Sequence, residues 1–93
     1  MTESPIESAN RLQIHPNPIQ KTAEIEFGIE QSGSVHLSIF DSQGREVVIL
    51  IDSILNPGLH RTIWSSSALA SGVYFLRLSQ GLRRETKPFV VKR

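Results

Sequence analysis

Apolar residues recur at every second position in several short stretches of the chain. Over residues 23–29 Ala, Ile, Phe and Ile alternate with Glu, Glu and Gly, and the same period returns over residues 35–39. A period of two places successive side chains on opposite faces of a β-strand, so both stretches predict half-buried strands. The polar run over residues 30–33 predicts a turn between them, and the two strands are expected to form a hairpin.

Further strands are predicted wherever β-branched and aromatic residues lie between turn signals. The run over residues 47–51 follows a polar loop in which Asp41 can bond its own backbone and Gly44 can take a positive φ, which predicts a second hairpin. The remaining strand-like stretches cover residues 12–15, 59–64, 73–79 and 82–91. Pro88 lacks a backbone donor, so it either interrupts the last strand or confines it to a sheet edge.

About seven short strands with regularly spaced turn signals predict an all-β fold, an immunoglobulin-like antiparallel β-sandwich. No segment has helical periodicity over the ~10 residues that a helix needs. A chain of 93 residues has room for one core. We therefore expect one domain over residues 11–93, preceded by a polar linker or cloning remnant over residues 1–10.

Composition and charge exclude several classes of function. The net charge of +1 gives no footprint for binding a phosphate backbone, so no nucleic acid partner is expected. The chain has no cysteine for disulfides or thiolate-bound metal, and no stretch approaches the roughly 20 apolar residues that span a bilayer. Basic residues outnumber acids from Arg77 onward, which marks either an interaction region or solvated strand faces.

The residues capable of catalysis or metal binding do not form a recognisable site. His15, His36 and His60 lack a second ligand at metal-binding spacing, and the serines over residues 65–67 are not part of a nucleophile elbow. Aromatic residues could form a sugar-binding platform, but strand alternation places Trp64 and Tyr74 on buried faces and favours core packing. We predict no enzyme activity, no cofactor, no metal site and no small-molecule substrate.

A set of motifs in a fixed order resembles a known family. The motifs are His15-Pro16-Asn17-Pro18, Phe40-Asp41-Ser42-Gln43-Gly44-Arg45-Glu46-Val47, Asn56-Pro57-Gly58-Leu59-His60 with Trp64, Leu69-Ala70-Ser71-Gly72-Val73-Tyr74-Phe75-Leu76-Arg77-Leu78, and Glu85-Thr86-Lys87 with Val90-Val91-Lys92. Together they resemble the type A C-terminal sorting domain of Bacteroidetes type IX (Por) secretion. Each motif alone is weak, but their order and spacing are specific.

The resemblance implies that the domain follows a large cargo protein and directs its export. An outer-membrane translocon would recognise the domain in the periplasm and carry the cargo to the cell surface or the exterior, where a sortase-like peptidase would usually remove the domain near residues 1–10. An exposed last strand could add to a partner's sheet. We expect partner contact through Lys87, Val90, Val91 and Lys92, and deletion of residues 87–93 to leave a fused reporter in the periplasm.

A second family offers an alternative interpretation. The turns at Gly44 and Gly58, Trp64 and the strand beginning at Gly72 are also similar to the immunoglobulin-like module of flagellar hook-capping proteins. In that case the domain would be a structural part of an assembly.

Overall fold

A computed structural model describes residues 11–93, which fold into seven β-strands and no helix. The strands are β1 Gln13–His15, β2 Thr22–Ile29, β3 Gly33–Asp41, β4 Glu46–Leu55, β5 Gly58–Ser65, β6 Gly72–Gln80 and β7 Arg83–Val91. They form a three-stranded sheet in the order β1-β2-β5 and a four-stranded sheet in the order β4-β3-β6-β7. All named strand pairs are antiparallel, which confirms the predicted all-β sandwich. The predicted linker over residues 1–10 lies outside the described residues.

The predicted hairpin between β2 and β3 is wrong. These strands lie in different sheets, because the chain crosses from one sheet to the other between Ile29 and Gly33. Both strands direct their alternating apolar residues into the same core from opposite sides. The predicted β3–β4 hairpin is confirmed, and β6 and β7 form a hairpin around the Gln80-Gly81 turn, where Gly81 has φ 57°.

The core fills the space between the two sheets, and in β2, β3 and β6 its side chains are the ones that alternation predicted to face inward. The largest fully buried side chains, each less than 2% exposed, are Phe27, Phe89, Leu12, Ile19, Ile25, Ile29, Leu37, Ile39, Leu76, Leu78, Val35 and Val91. The Phe89 ring meets the edge of Trp64 at 6.0 Å and stacks on Tyr74 at 5.9 Å, between ring centroids. The Tyr74 hydroxyl donates to the Ala70 carbonyl at 2.7 Å, which satisfies the polar end of a buried ring.

The four-stranded sheet has two edges of different character. At one edge, β4 pairs with β3 through two register shifts, between Leu37 and Ser38 and between Ile39 and Phe40. Bulges of this kind bend and twist an edge and limit its pairing with another chain. At the other edge lies β7, which pairs with β6 in register over its full length. β7 is therefore the regular edge strand of this sheet.

Candidate partner-binding surface

The strand predicted to contact a partner, β7, has one face in the core and one face in solvent. Phe89 and Val91 are each 1% exposed, whereas Val90 between them is 36% exposed. Towards the beginning of the strand, Glu85 and Lys87 continue the inward face and are half-buried. The inward residues anchor β7 on the core and leave the outward residues for contact with other molecules.

The structure does not bring the four predicted contact residues onto one face. Lys87 and Val91 lie on the inward face of β7, and Val91 is part of the core. Val90 lies on the outward face, and Lys92 is exposed just after the strand ends. Val91 therefore supports the fold, and partner contact by Lys87, Val90 and Lys92 stays a prediction.

The end of the β7 edge is covered by residues 17–19 of the same chain. The backbone N–H of Ile19 donates to the Val90 carbonyl at 2.7 Å, and that of Lys92 donates to the Ile19 carbonyl at 2.8 Å. The Asn17 side-chain oxygen accepts from the Val90 N–H at 3.0 Å. This part of the edge is already hydrogen-bonded, so the region available for adding a partner strand is the earlier half, around Thr86.

Pro88 lies at the sheet edge without interrupting β7. Since the N–H and C=O of Val90 point away from β6, the alternation of an antiparallel ladder points the nitrogen of Pro88 away from β6 as well. Pro88 is paired with Phe75 in the uninterrupted register of the two strands. The missing backbone donor of Pro88 therefore removes no hydrogen bond to β6. The prediction that Pro88 confines the last strand to a sheet edge is confirmed, and the prediction that it interrupts the strand is wrong.

Two charged residues on the inward face of β7 link the sheets across the open side of the sandwich. The guanidinium of Arg83 donates to the Gly28 carbonyl of β2 at 2.7 Å and pairs with the Glu85 carboxylate at 2.5 Å. Glu85 also accepts from the backbone N–H of Leu12 at 3.2 Å. The sequence showed Arg83 as part of a basic region and Glu85 as part of a motif, but neither pattern indicated the contacts with Gly28 and Leu12, which lie far away along the chain.

Arg93 holds the chain after β7 against the loop that follows β5. Its guanidinium donates to the carbonyls of Gln20, at 2.8 Å, and Leu69, at 2.6 Å, and to that of Ser66. Its backbone N–H donates to the Ser71 hydroxyl at 3.0 Å. Arg93 therefore stabilises the position of β7, a role that no local motif indicates.

A cluster of titratable groups lies on the outward face of the four-stranded sheet, at its β4 side. The imidazole of His36 on β3 lies 2.7 Å from the Glu46 carboxylate and 3.6 Å from the Asp52 carboxylate of β4. The hydrogen bond to Glu46 raises the pKa of His36 above its ordinary value, and the same bond lowers the pKa of Glu46. The cluster joins two neighbouring strands.

Two common kinds of functional feature, a metal cluster and a membrane-spanning helix, are absent from the described residues. Within residues 11–93, no group of three or more His, Cys, Asp or Glu residues could hold a metal ion. The same part of the chain has no helix long and apolar enough to cross a membrane. One surface depression in this part of the chain is an open groove between the β2–β3 and β6–β7 turns, lined mainly by polar residues.

Comparison with known families decides between the interpretations. A family model described as a secretion system C-terminal sorting domain matches residues 13–92. The chain belongs to this family. No curated protein matches it. Membership confirms the resemblance to type IX sorting domains and favours it over the hook-capping alternative. The family is one of sorting signals and not of catalysts, which is consistent with export towards the outer membrane or cell surface.

Proposed function

We propose that this domain is the signal through which the outer-membrane translocon of a type IX system recognises an upstream cargo and exports it to the cell surface. The family match over residues 13–92 carries this proposal. The translocon would meet the domain in the periplasm, and a surface peptidase would then remove it near residues 1–10. The domain itself catalyses no step.

The fold suits recognition by a large machine. A sandwich with a continuous core presents fixed outward side chains, so a partner can bind it without ordering a flexible segment. β7 lies at a sheet edge, carries the outward basic residue Arg84 and is followed by the exposed Lys92, and such charges can orient an encounter and raise its rate. A surface of this kind requires no cofactor and no substrate pocket.

Export of a reporter tests the proposal. Residues 12–93 are fused behind a signal peptide and a fluorescent or enzymatic reporter and expressed in a type IX-competent bacterium. We expect the reporter to become sensitive to protease added to intact cells, whereas the reporter without the domain stays protected. Equal protection of the two reporters would contradict the proposal.

Removal of the domain is a separate step with its own measurement. The mass of the surface-exposed reporter is expected to correspond to a cut near residues 1–10, with the sandwich lost. A surface reporter that keeps the intact domain would contradict removal and leave export standing.

Deletion of residues 87–93 is a weak test of recognition. The deletion removes Phe89 and Val91 from the core as well as Arg93 from its hydrogen bonds, so it disturbs folding and recognition together. Single substitutions of outward side chains separate the two effects, because those side chains contribute little to the core.

A further inference from the structure

Apolar side chains form a continuous patch on the outward face of the four-stranded sheet. Phe40 of β3 lies opposite Phe75 of β6, which lies opposite Pro88 of β7. Two residues further along the same face, Val73 lies opposite Val90. We call these five residues the apolar outer patch.

The patch is accessible and crosses three strands. The side chain of Val73 is 49% exposed and that of Val90 is 36% exposed, and both are apolar. Single exposed apolar side chains are ordinary on protein surfaces, whereas contiguous ones mark interaction sites. The other side of this sheet already faces the core, so the patch is not needed to hold the two sheets together.

The charges beside the β6 and β7 part of the patch are basic, whereas Glu46 of β4, opposite Phe40, is acidic and is paired with His36 at 2.7 Å. The outward side chains of β6 and β7 include Arg77 and Arg84 and no Asp or Glu, and the exposed Lys92 follows β7. The guanidinium of Arg77 lies 4.4 Å from the centre of the Phe40 ring, so it borders the patch directly. A complementary surface would be apolar at its centre and acidic at its rim.

The outward face of the other sheet differs in how its charges are arranged. There Arg61 pairs with Glu24 at 2.8 Å and with Glu26 at 2.7 Å, and His15 lies 3.1 Å from Glu24. These charges are compensated within the domain, and Ile63 beside them is 65% exposed. This face provides a control position of similar exposure and secondary structure.

We propose that a protein of the secretion machinery binds the apolar outer patch through an apolar surface with acidic residues at its rim. The inference rests on the proposed export function and identifies the surface that performs it. A second copy of the domain is a poorer occupant, because self-association would bring the basic residues of two copies together. The β4 edge is also a poorer site, because bulges distort it.

Three single substitutions in the full reporter fusion test this proposal. Val73→Glu buries a carboxylate against an acidic rim, and we expect surface export to fall about tenfold or more. Val73→Lys adds a positive charge, which an acidic rim would attract, so export should fall clearly less than for Val73→Glu. Ile63→Glu on the opposite sheet should leave export within about twofold of the unchanged domain. Thermal unfolding of the purified domains checks that all three variants fold.

A second pair of variants protects the test against a folding defect at Val73. Val90→Glu and Val90→Lys place the same charges on the neighbouring strand, and the same order of effects is expected. A photo-crosslinking residue at position 73 should capture a secretion-machinery protein from intact cells, whereas one at position 63 should not.

The outcomes distinguish the patch from the function. If Val73→Glu and Val90→Glu are exported as well as Ile63→Glu, the patch proposal is wrong, and export that still requires the domain leaves the proposed function standing. If Val73→Lys lowers export as much as Val73→Glu does, the proposed acidic rim of the partner surface is wrong. If the purified domain is a dimer that Val73→Glu separates, the patch binds a second copy instead. Failure of the unchanged domain to direct export would contradict the proposed function itself.

Discussion

Truncation of Phe89 tests how β7 is attached to the core. Phe89→Ala removes a 1% exposed ring that contacts both Trp64 and Tyr74. Truncating a buried phenylalanine costs about 3–5 kcal/mol, and each aromatic pair adds about 0.5–1.5 kcal/mol beyond its buried area, so we expect the upper half of that range. Because domains have about 0.05–0.15 kcal/mol of stability per residue, this loss is a large fraction of the total.

The adjacent residue supplies the matched control. Val90 is 36% exposed on the other face of the same strand, so Val90→Ala should cost less than about 1 kcal/mol. Urea unfolding followed by far-ultraviolet circular dichroism measures both free energies without depending on the fluorescence of Trp64. In a thermal scan, Phe89→Ala should lower the Tm by at least about 16 °C, since 1 kcal/mol shifts a domain of this size by about 4–8 °C. Similar losses in the free energy of unfolding for Phe89→Ala and Val90→Ala would refute the packing of β7 on the core through Phe89.

Three further predictions follow from single contacts. Tyr74→Phe removes a buried hydrogen bond and should lower the free energy of unfolding by about 1 kcal/mol, measured by urea titration. Lys87→Pro removes a bond to β6 and should cost about 3 kcal/mol, whereas Thr86→Pro, whose nitrogen faces the open edge, should cost clearly less by the same measurement. NMR titration should find the pKa of His36 above its ordinary value of 6.5, and Glu46→Gln should bring it down.

The sign of the pH effect follows from the raised pKa of His36. The protonated imidazole is stabilised in the folded state, so the contribution is complete below the unfolded pKa of about 6.5 and is lost as the pH rises through the folded pKa. Glu46→Gln should therefore destabilise the domain more at about pH 5.5 than at about pH 8.5. An equal or larger loss of stability at the higher pH would contradict the ion pair between His36 and Glu46.

Equal losses of stability for Lys87→Pro and Thr86→Pro would contradict the direction in which the β7 backbone N–H groups point.

Local patterns predicted the strands because burial on one face of a sheet imposes a period of two on the sequence. The same patterns do not specify which sheet a strand joins, which is why the turn before Gly33 was interpreted as a hairpin. Inward and outward positions of β6 were predictable from alternation, with Tyr74 buried and Val73 exposed. The roles of Arg83 and Arg93 were not predictable from the sequence. Each donates to a backbone carbonyl that is distant along the chain, and such an acceptor leaves no pattern in the sequence.

The candidate surface was predicted less completely than the fold. The choice of β7 came from the family resemblance, and alternation along that strand separates Val91, which is buried, from Val90, which is exposed. The contribution of Phe40 and Phe75 to an outward patch depends on the register between three strands. Register is a long-range property, so it became visible only in the folded structure.

Dependence of export on the translocon tests the central claim most directly. The reporter carrying residues 12–93 is expressed in a type IX-competent strain and in the same strain without its outer-membrane translocon, and surface exposure is measured with protease added to intact cells. We predict a protease-sensitive reporter in the first strain and a protected, periplasmic reporter in the second. Equal surface exposure in both strains would show that the domain is not a signal for this machinery.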